Sequence, residues 1–144
     1  MAATAMAALA AAAAGASPQL RFMSAAQLLA LRGSPDVAII DVRDEDERAY
    51  DGHIAGSLHC ESHSFQDDLP RLLQDLSRHK TVVFHCALSQ VRGPKCAKAF
   101  LHSISSSGGG PEVFVLERGF NGWAQYGHPQ CSCKELKRCI ALLE

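Results

Sequence analysis

A cysteine and an arginine six positions apart are the residues of this chain best suited to chemistry on an anion. Five residues lie between Cys86 and Arg92, namely Ala87, Leu88, Ser89, Gln90 and Val91. A loop that curls between a strand and a helix directs its backbone N–H groups at its centre, where the helix N-terminus adds positive potential. These five residues, together with Arg92, are therefore predicted to bind a tetrahedral oxyanion.

Cys86 is predicted to be the nucleophile of this site. A free thiol has a pKa near 8.5, and a helix N-terminus or a nearby cation can lower it to about 3.5–7.5. Arg92 is predicted to hold two ligand oxygens with its planar guanidinium and to neutralise charge in the transition state. Ser89 is a candidate hydroxyl donor to the sulfur, and His85 is expected to orient the loop. The alternative, a structural thiol near a surface arginine, does not explain why strand, loop, arginine and helix occur in this order.

Three short apolar runs must position this loop. Residues 37–42, 81–84 and 113–116 are rich in β-branched side chains, which is typical of strands buried on both faces of a parallel sheet. Helical spacing of apolar residues follows Ser24, Gln66 and Arg92. This alternation predicts a single α/β domain with a mostly parallel sheet and helices on both faces.

The length and composition of the chain fit one domain. It has 144 residues, of which 47% are hydrophobic, and this suffices for one core of ordinary size. We expect an alanine-rich flexible leader over residues 1–20, the folded domain over 21–127 and a cysteine-rich tail over 128–144. A plastid transit peptide is the alternative interpretation of the leader.

Charge and cysteine usage exclude several classes of function. A formal net charge of −1 provides no broad attraction to nucleic acid or to an anionic membrane. Outside the leader, no apolar stretch approaches the roughly 20 residues that span a bilayer. The six cysteines are interpreted as reduced thiols, because a chain of this size folds without disulfides. We therefore expect a cytoplasmic protein, with the nucleus as a second compartment.

The tail has the composition of a metal site. Cys131, Cys133 and Cys139 supply three soft ligands, and His128, His59 or Cys60 is expected to complete a tetrahedral, structural zinc site. The alternative is that these are loose tail thiols that bind no metal.

Three segments give the chain a resemblance to the rhodanese superfamily: IIDVRDEDERAYDGHIAGSLH at 39–59, HCALSQVRGP at 85–94 and LERGFNGW at 116–123. The loop is one residue longer than is usual in sulfurtransferases of the superfamily. It resembles the loop of rhodanese-fold cell-cycle phosphatases and arsenate reductases, and Cys86, Arg92, Gly93 and Pro94 match the arsenate reductase pattern. Unlike those phosphatases, the chain has no glutamate in the loop, and Val42 stands where they carry a back-up cysteine.

The resemblance implies a plant-type arsenate reductase. In such an enzyme the Cys86 thiolate attacks arsenic(V), glutathione as co-substrate attacks the adduct, and glutaredoxin reduces the mixed disulfide. Side activity on aryl phosphates and phosphotyrosine is expected, and the resemblance also implies a zinc-binding tail. The alternatives are a dual-specificity protein tyrosine phosphatase acting in cell-cycle control and an inactive binding module, although such modules commonly lack the loop cysteine.

Overall fold

The computed structural model describes residues 20–106, 109–133 and 139. The predicted leader, apart from its last residue, lies outside the described residues, as do residues 134–138 and 140–144 of the predicted tail. Within the described part, no helix is long and apolar enough to cross a membrane.

A parallel sheet forms the centre of the described chain. Its strands are β1 (Arg21–Met23), β2 (Val37–Asp41), β4 (Leu58–His59), β5 (Thr81–His85) and β6 (Glu112–Leu116). They have the order β1-β6-β5-β2-β4, and each neighbouring pair is parallel. The three longest strands occupy the three predicted runs, so the α/β prediction with a mostly parallel sheet is confirmed.

A second, antiparallel pair joins β3 (His53–Ile54) to β7 (Gln130–Cys131). In its register, His53 lies opposite Cys131. Neither strand was predicted, because two residues show no periodicity by which a strand can be recognised. The pairing attaches the beginning of the cysteine-rich segment to the middle of the domain.

The helices cover both faces of the sheet. They are α1 (Ala25–Leu31), α2 (Glu45–Asp51), α3 (Phe65–Asp75), α4 (Arg92–Ser106) and α5 (Gly119–Gln125), with a 3₁₀ turn at Ser62–Ser64. One buried cluster contains Ile40, Phe84 and Phe100, and the other contains Ile39, Val83 and Trp123. Successive residues of β2 and β5 thus enter opposite cores, which explains why these strands are apolar without alternation.

Residues 117–123 contain two glycines, which are more typical of a turn than of a helix, yet Gly119–Gln125 is helical. Gly119 and Gly122 are poor helix formers, but packing requires them. A Cβ on Gly122 would lie 2.5 Å from the Cβ of Arg118.

Candidate functional site

The segment of residues 86–92, called the oxyanion loop below, connects the end of β5 to the first residue of α4, as predicted. Cys86 is only 3% exposed. The backbone N–H of Gly93 donates to Cys86 Sγ at 3.3 Å. The N-terminus of α4 therefore points at the sulfur, which places positive potential where a thiolate or an anion would carry its charge.

The oxyanion loop keeps its backbone N–H groups free. Those of residues 87–91 donate to no acceptor within the described ranges of the chain. The carbonyls of Cys86 and Ala87 accept hydrogen bonds from the N–H groups of Phe120 and Asn121 in α5, both at 3.0 Å. Because the C=O and N–H of one planar trans peptide point in opposite directions, these contacts turn the next N–H groups away from α5.

Gly119 allows α5 to approach the loop this closely. Its φ is +56°, and a Cβ there would lie 2.6 Å from the carbonyl oxygen of Ala87 and closer still to that of Cys86. A larger residue would push α5 away from the loop. Sequence reasoning missed this role, although the glycine-rich run after a buried strand was visible.

Ser89 has a left-handed backbone, with φ of 57°. Its hydroxyl is buried and has no hydrogen-bond partner among the described residues. The predicted contact from this hydroxyl to the sulfur is therefore not formed in the structure.

Arg92 contacts Glu47 of α2. Its Nη1 and Nη2 donate to the two carboxylate oxygens at 2.5 and 3.0 Å. This pairing lowers the pKa of Glu47 and raises that of Arg92, so both groups are charged at neutral pH. The N–H groups of Arg92 that were predicted to hold two ligand oxygens thus contact a protein carboxylate in the structure.

Glu47 is a site residue that the sequence analysis missed, because an acidic run such as that at 45–47 is usually a solvated face. Glu47 also closes a capping box with Asp44 at the start of α2. Only the order of the strands brings Glu47 to the loop. α2 follows β2, which pairs with β5, and the carboxyl ends of neighbouring parallel strands meet at one edge of the sheet.

Buried charges lie beneath the loop. Asp41 is fully buried and accepts hydrogen bonds from Arg43 at 3.0 and 2.9 Å and from Arg48 at 2.9 Å. Although burial alone would raise its pKa, the two guanidinium groups hold the pKa of Asp41 well below its usual range. These three buried groups together carry one net positive charge.

His85 pairs with Asp41 across the two strands. Burial lowers the pKa of His85, so the ring is neutral at pH 7, and its Nδ1 lies 3.1 Å from the carbonyl oxygen of Cys86. This arrangement favours the predicted orienting role over proton transfer.

Three cysteines and a histidine come together where β3 meets β7. The ligand atoms of His53, Cys131, Cys133 and Cys139, called the cysteine cluster below, all lie within 4.8 Å of one another. Cys133 Sγ is 3.3 Å from His53 Nε2 and 3.6 Å from Cys139 Sγ. Tetrahedral zinc with bonds of about 2.0–2.3 Å holds its ligand atoms about 3.3–3.8 Å apart. The geometry of these residues therefore fits a zinc ion.

The protonation of His53 also suits a metal. Burial and the charge of Arg48 lower its pKa to about 4, so its ring is neutral at pH 7, as a ligand must be. Its Nδ1 is buried without a hydrogen-bond partner among the described residues, which leaves the second nitrogen without the acceptor that usually orients a metal-bound histidine.

The predicted fourth ligands lie elsewhere. The ring of His128 packs against Trp123 and Tyr126, His59 Nε2 is 2.7 Å from the carbonyl oxygen of Arg43, and Cys60 belongs to the hydrophobic core. His53 was missed because it stands 80 positions before Cys133. Only the pairing of β3 with β7 brings the two together.

Comparison with known proteins shows which family the chain belongs to. Residues 24–126 match the rhodanese-like domain family. The chain is 51% identical over 120 residues to the dual specificity phosphatase Cdc25 of Arabidopsis thaliana, which covers 81% of this chain and 82% of that protein. It is also 51% identical over 117 residues to arsenate reductase 2.2 of Oryza sativa subsp. japonica, covering 79% and 89% of the two chains.

A solved structure shows the same similarity. The As-Sb reductase of Leishmania major superposes with a TM-score of 0.60 and 29% identity over 76% of this chain and 80% of that one. The family match spans strands β2, β4, β5 and β6 of the sheet, the oxyanion loop and α5. By sequence and by fold, this chain belongs to the rhodanese-like domain family and is a relative of plant arsenate reductases.

Proposed function

We propose that this protein is an arsenate reductase in which Cys86 is the nucleophile and glutathione is the reductant. The observation that carries the proposal is the set of free N–H groups at residues 87–91 around a sulfur that already accepts the N–H of Gly93. Such a loop binds a tetrahedral oxyanion and stabilises the charge that develops on its oxygens. Similarity to proteins named arsenate reductase supports the choice of arsenic.

In the first step, the Cys86 thiolate attacks arsenic(V) and an As–S bond forms. One arsenate oxygen leaves as water, taking its protons from solvent or from glutathione. In the second step, two electrons pass from the two sulfurs to arsenic. The glutathione sulfur attacks Cys86 Sγ, an S–S bond forms, and the electron pair of the broken S–As bond stays on arsenic, which leaves as arsenite. Glutaredoxin then returns Cys86 to the thiol by thiol–disulfide exchange.

Arg92 contributes charge to this site in competition with Glu47. A guanidinium has five N–H donors, and two of its nitrogens contact the Glu47 carboxylate. An arriving oxyanion must either share Arg92 with Glu47 or displace the Glu47 carboxylate from Arg92. Glu47 thereby holds Arg92 beside the loop before the ligand binds.

Phosphate esters are a second class of substrate in this proposal. The same thiolate attack on phosphorus must expel an alkoxide or a phenoxide, and the loop residues 87–91 include no carboxylic acid to protonate it. An activated aryl phosphate needs this proton least, whereas the alkyl ester of phosphoserine needs it most. We therefore propose slow aryl phosphatase activity as a side reaction.

One preparation at one pH tests the proposal. Arsenite formation is measured with glutathione and glutaredoxin, and phosphate release is measured with an aryl phosphate and with a phosphoserine peptide. We expect arsenite formation that requires both thiol components, modest aryl phosphate hydrolysis and very poor phosphoserine hydrolysis. Efficient phosphopeptide hydrolysis without arsenite formation would replace this function with that of a dual-specificity phosphatase.

We also propose that the cysteine cluster binds one structural zinc ion. His53, Cys131, Cys133 and Cys139 would hold it, and the ion would attach β7 and Cys139 to β3. Three thiolates and one imidazole form a closed tetrahedral set that leaves no position for substrate. Metal analysis of protein purified without added metal tests this proposal, with about one equivalent of zinc expected.

A further inference from the structure

A cavity of about 380 Å³ lies against the oxyanion loop, on the side of α5. Residues 88–90 form one wall, and the residues after β6 together with α5 form the other. Its volume falls in the lower range of pockets that hold small organic ligands. The lining shares residues 88–90 with the oxyanion loop but does not include Cys86 or Arg92.

Two opposite charges stand next to each other on its rim. The carboxylate of Glu117 makes no ion pair or hydrogen bond with the residues described. The neighbouring Arg118 donates to the Tyr126 hydroxyl at 2.9 Å and to Gln125 Oε1 at 2.7 Å. These bonds hold the guanidinium at the rim, and three of its five N–H donors remain available. A carboxylate beside a guanidinium matches the ammonium and carboxylate of an α-amino acid.

The rest of the lining suits a peptide. Within the described residues, the side-chain amides of Gln90 and Asn121 have no hydrogen-bond partner, and the hydroxyl of Ser89 is buried without one. Such groups pair with the N–H and C=O of amide bonds. Leu88 and Phe22, which are 51% and 49% exposed, add apolar surface that a ligand would cover.

We propose that this cavity binds glutathione, with the zwitterionic end of its γ-glutamyl group at Glu117 and Arg118 and its thiol toward the oxyanion loop. The inference rests on the proposed function, whose second step requires glutathione next to Cys86. The organic part of an aryl phosphate carries no ammonium and carboxylate to pair with these two residues. Simple dithiols carry no charge at all. Of these three kinds of ligand, only glutathione has groups to pair with both charged residues and with the polar side chains of the lining.

A titration without arsenic tests the site directly. S-methylglutathione, whose blocked sulfur cannot react, is titrated into the ¹⁵N-labelled full chain, and amide shifts are followed by NMR. We expect the largest shifts at residues 88–90 and 117–125, and about tenfold weaker binding by Glu117→Lys, which is the loss of one charge-assisted contact of about 1.4 kcal/mol. Asp75→Lys, an equal charge change at the exposed end of α3, should bind as the wild type does.

Kinetics supply a second readout. With glutaredoxin present, the ratio of the arsenate reduction rate at limiting glutathione to the rate at saturating glutathione should fall about tenfold in Glu117→Lys. In Asp75→Lys this ratio should equal that of the wild type. A simple loss of folding would lower both rates together and leave the ratio unchanged.

The outcomes separate the two proposals. Equal binding of S-methylglutathione by wild type and Glu117→Lys, or shifts that map away from the cavity, would overturn the glutathione site while leaving arsenate reduction intact. Shifts of the cavity amides by phosphotyrosine but not by S-methylglutathione would overturn it as well. If the wild type forms no arsenite, the proposed function fails, and the titration still decides what the cavity binds.

Discussion

The oxyanion loop and the cysteine cluster place the same side chain in opposite surroundings. In the loop, a single sulfur faces backbone N–H groups and the N-terminus of α4, so the site is suited to anions. In the cluster, three sulfurs and one imidazole converge, and their lone pairs are suited to a soft cation. The surroundings of a cysteine therefore decide whether it attacks an electrophile or holds a metal.

The two regions also differ in how they are assembled. The oxyanion loop is contiguous, and all its groups come from residues 86–93 between one strand and one helix. The cluster joins His53 to cysteines near the end of the chain, through the pairing of β3 with β7. Mutations in the loop should thus affect chemistry, whereas mutations in the cluster should affect metal content and stability.

The largest expected effect is that of Cys86→Ser. We expect arsenate reduction to fall by at least about 10⁴-fold, because a serine hydroxyl is not ionised where a thiolate would be. The melting temperature should change little. Cys96→Ser is the matched control, since burial raises the pKa of Cys96 to about 12 and excludes a thiolate there at neutral pH. Substantial turnover by Cys86→Ser would show that Cys86 is not the nucleophile, and the chemical difference between the loop and the cluster would be lost.

Arg92→Lys tests whether the oxyanion loop needs the planar guanidinium of Arg92. A lysine keeps the charge but cannot bind two oxygens in one plane, so we expect kcat/KM for arsenate to fall about 10²–10³-fold. Arg78→Lys, an exposed arginine after α3, should have wild-type kinetics. Near-normal kcat/KM in Arg92→Lys would show that the charge alone is sufficient.

The double variant Cys131→Ser with Cys133→Ser tests the cluster. We expect zinc content to fall from about one equivalent to near zero and the melting temperature to fall by at least about 5 °C. The loop chemistry of the folded fraction should remain. Ser132→Ala, which changes the residue between the two cysteines, is the control. Metal-free wild-type protein and unchanged melting of the variant would contradict the zinc proposal.

His53→Asn distinguishes the observed histidine from the predicted ones. Loss of one ligand should lower zinc affinity at least about tenfold, as measured by competition with a chelator. His128→Asn should leave the affinity unchanged, because that ring packs against Trp123 and Tyr126. The reverse result would make His128, and not His53, the fourth ligand.

The smallest effect is expected for Glu47→Gln. The amide removes the charge that competes for Arg92, so KM for arsenate should fall, while kcat should fall by about tenfold or less because Arg92 is oriented less firmly. Glu45→Gln, in the same turn of α2 but outside the Arg92 contact, is the control. A higher KM with unchanged kcat would show that Glu47 helps the oxyanion to bind.

The sequence by itself determined the three longest strands, the helices α1, α3 and α4, and the position of the oxyanion loop between a strand and a helix. The β-branched runs that became β2, β5 and β6, and the order of Cys86 and Arg92 before a helix, depend on contacts between residues close in the chain. Local periodicity and helix-start signals report such contacts directly. Strands β3 and β7 have only two residues each, so they show no periodicity and carried no such signal.

Only the tertiary structure decided which partners these residues have. The sheet order brings Glu47 to Arg92 across 45 positions, and the pairing of β3 with β7 brings His53 to Cys133 across 80. It also packs α5 against the loop through Gly119, which opens the cavity beside residues 88–90. In a single sequence nothing marks such distant pairs, because each residue type is common and its partner is selected by the geometry of the folded sheet.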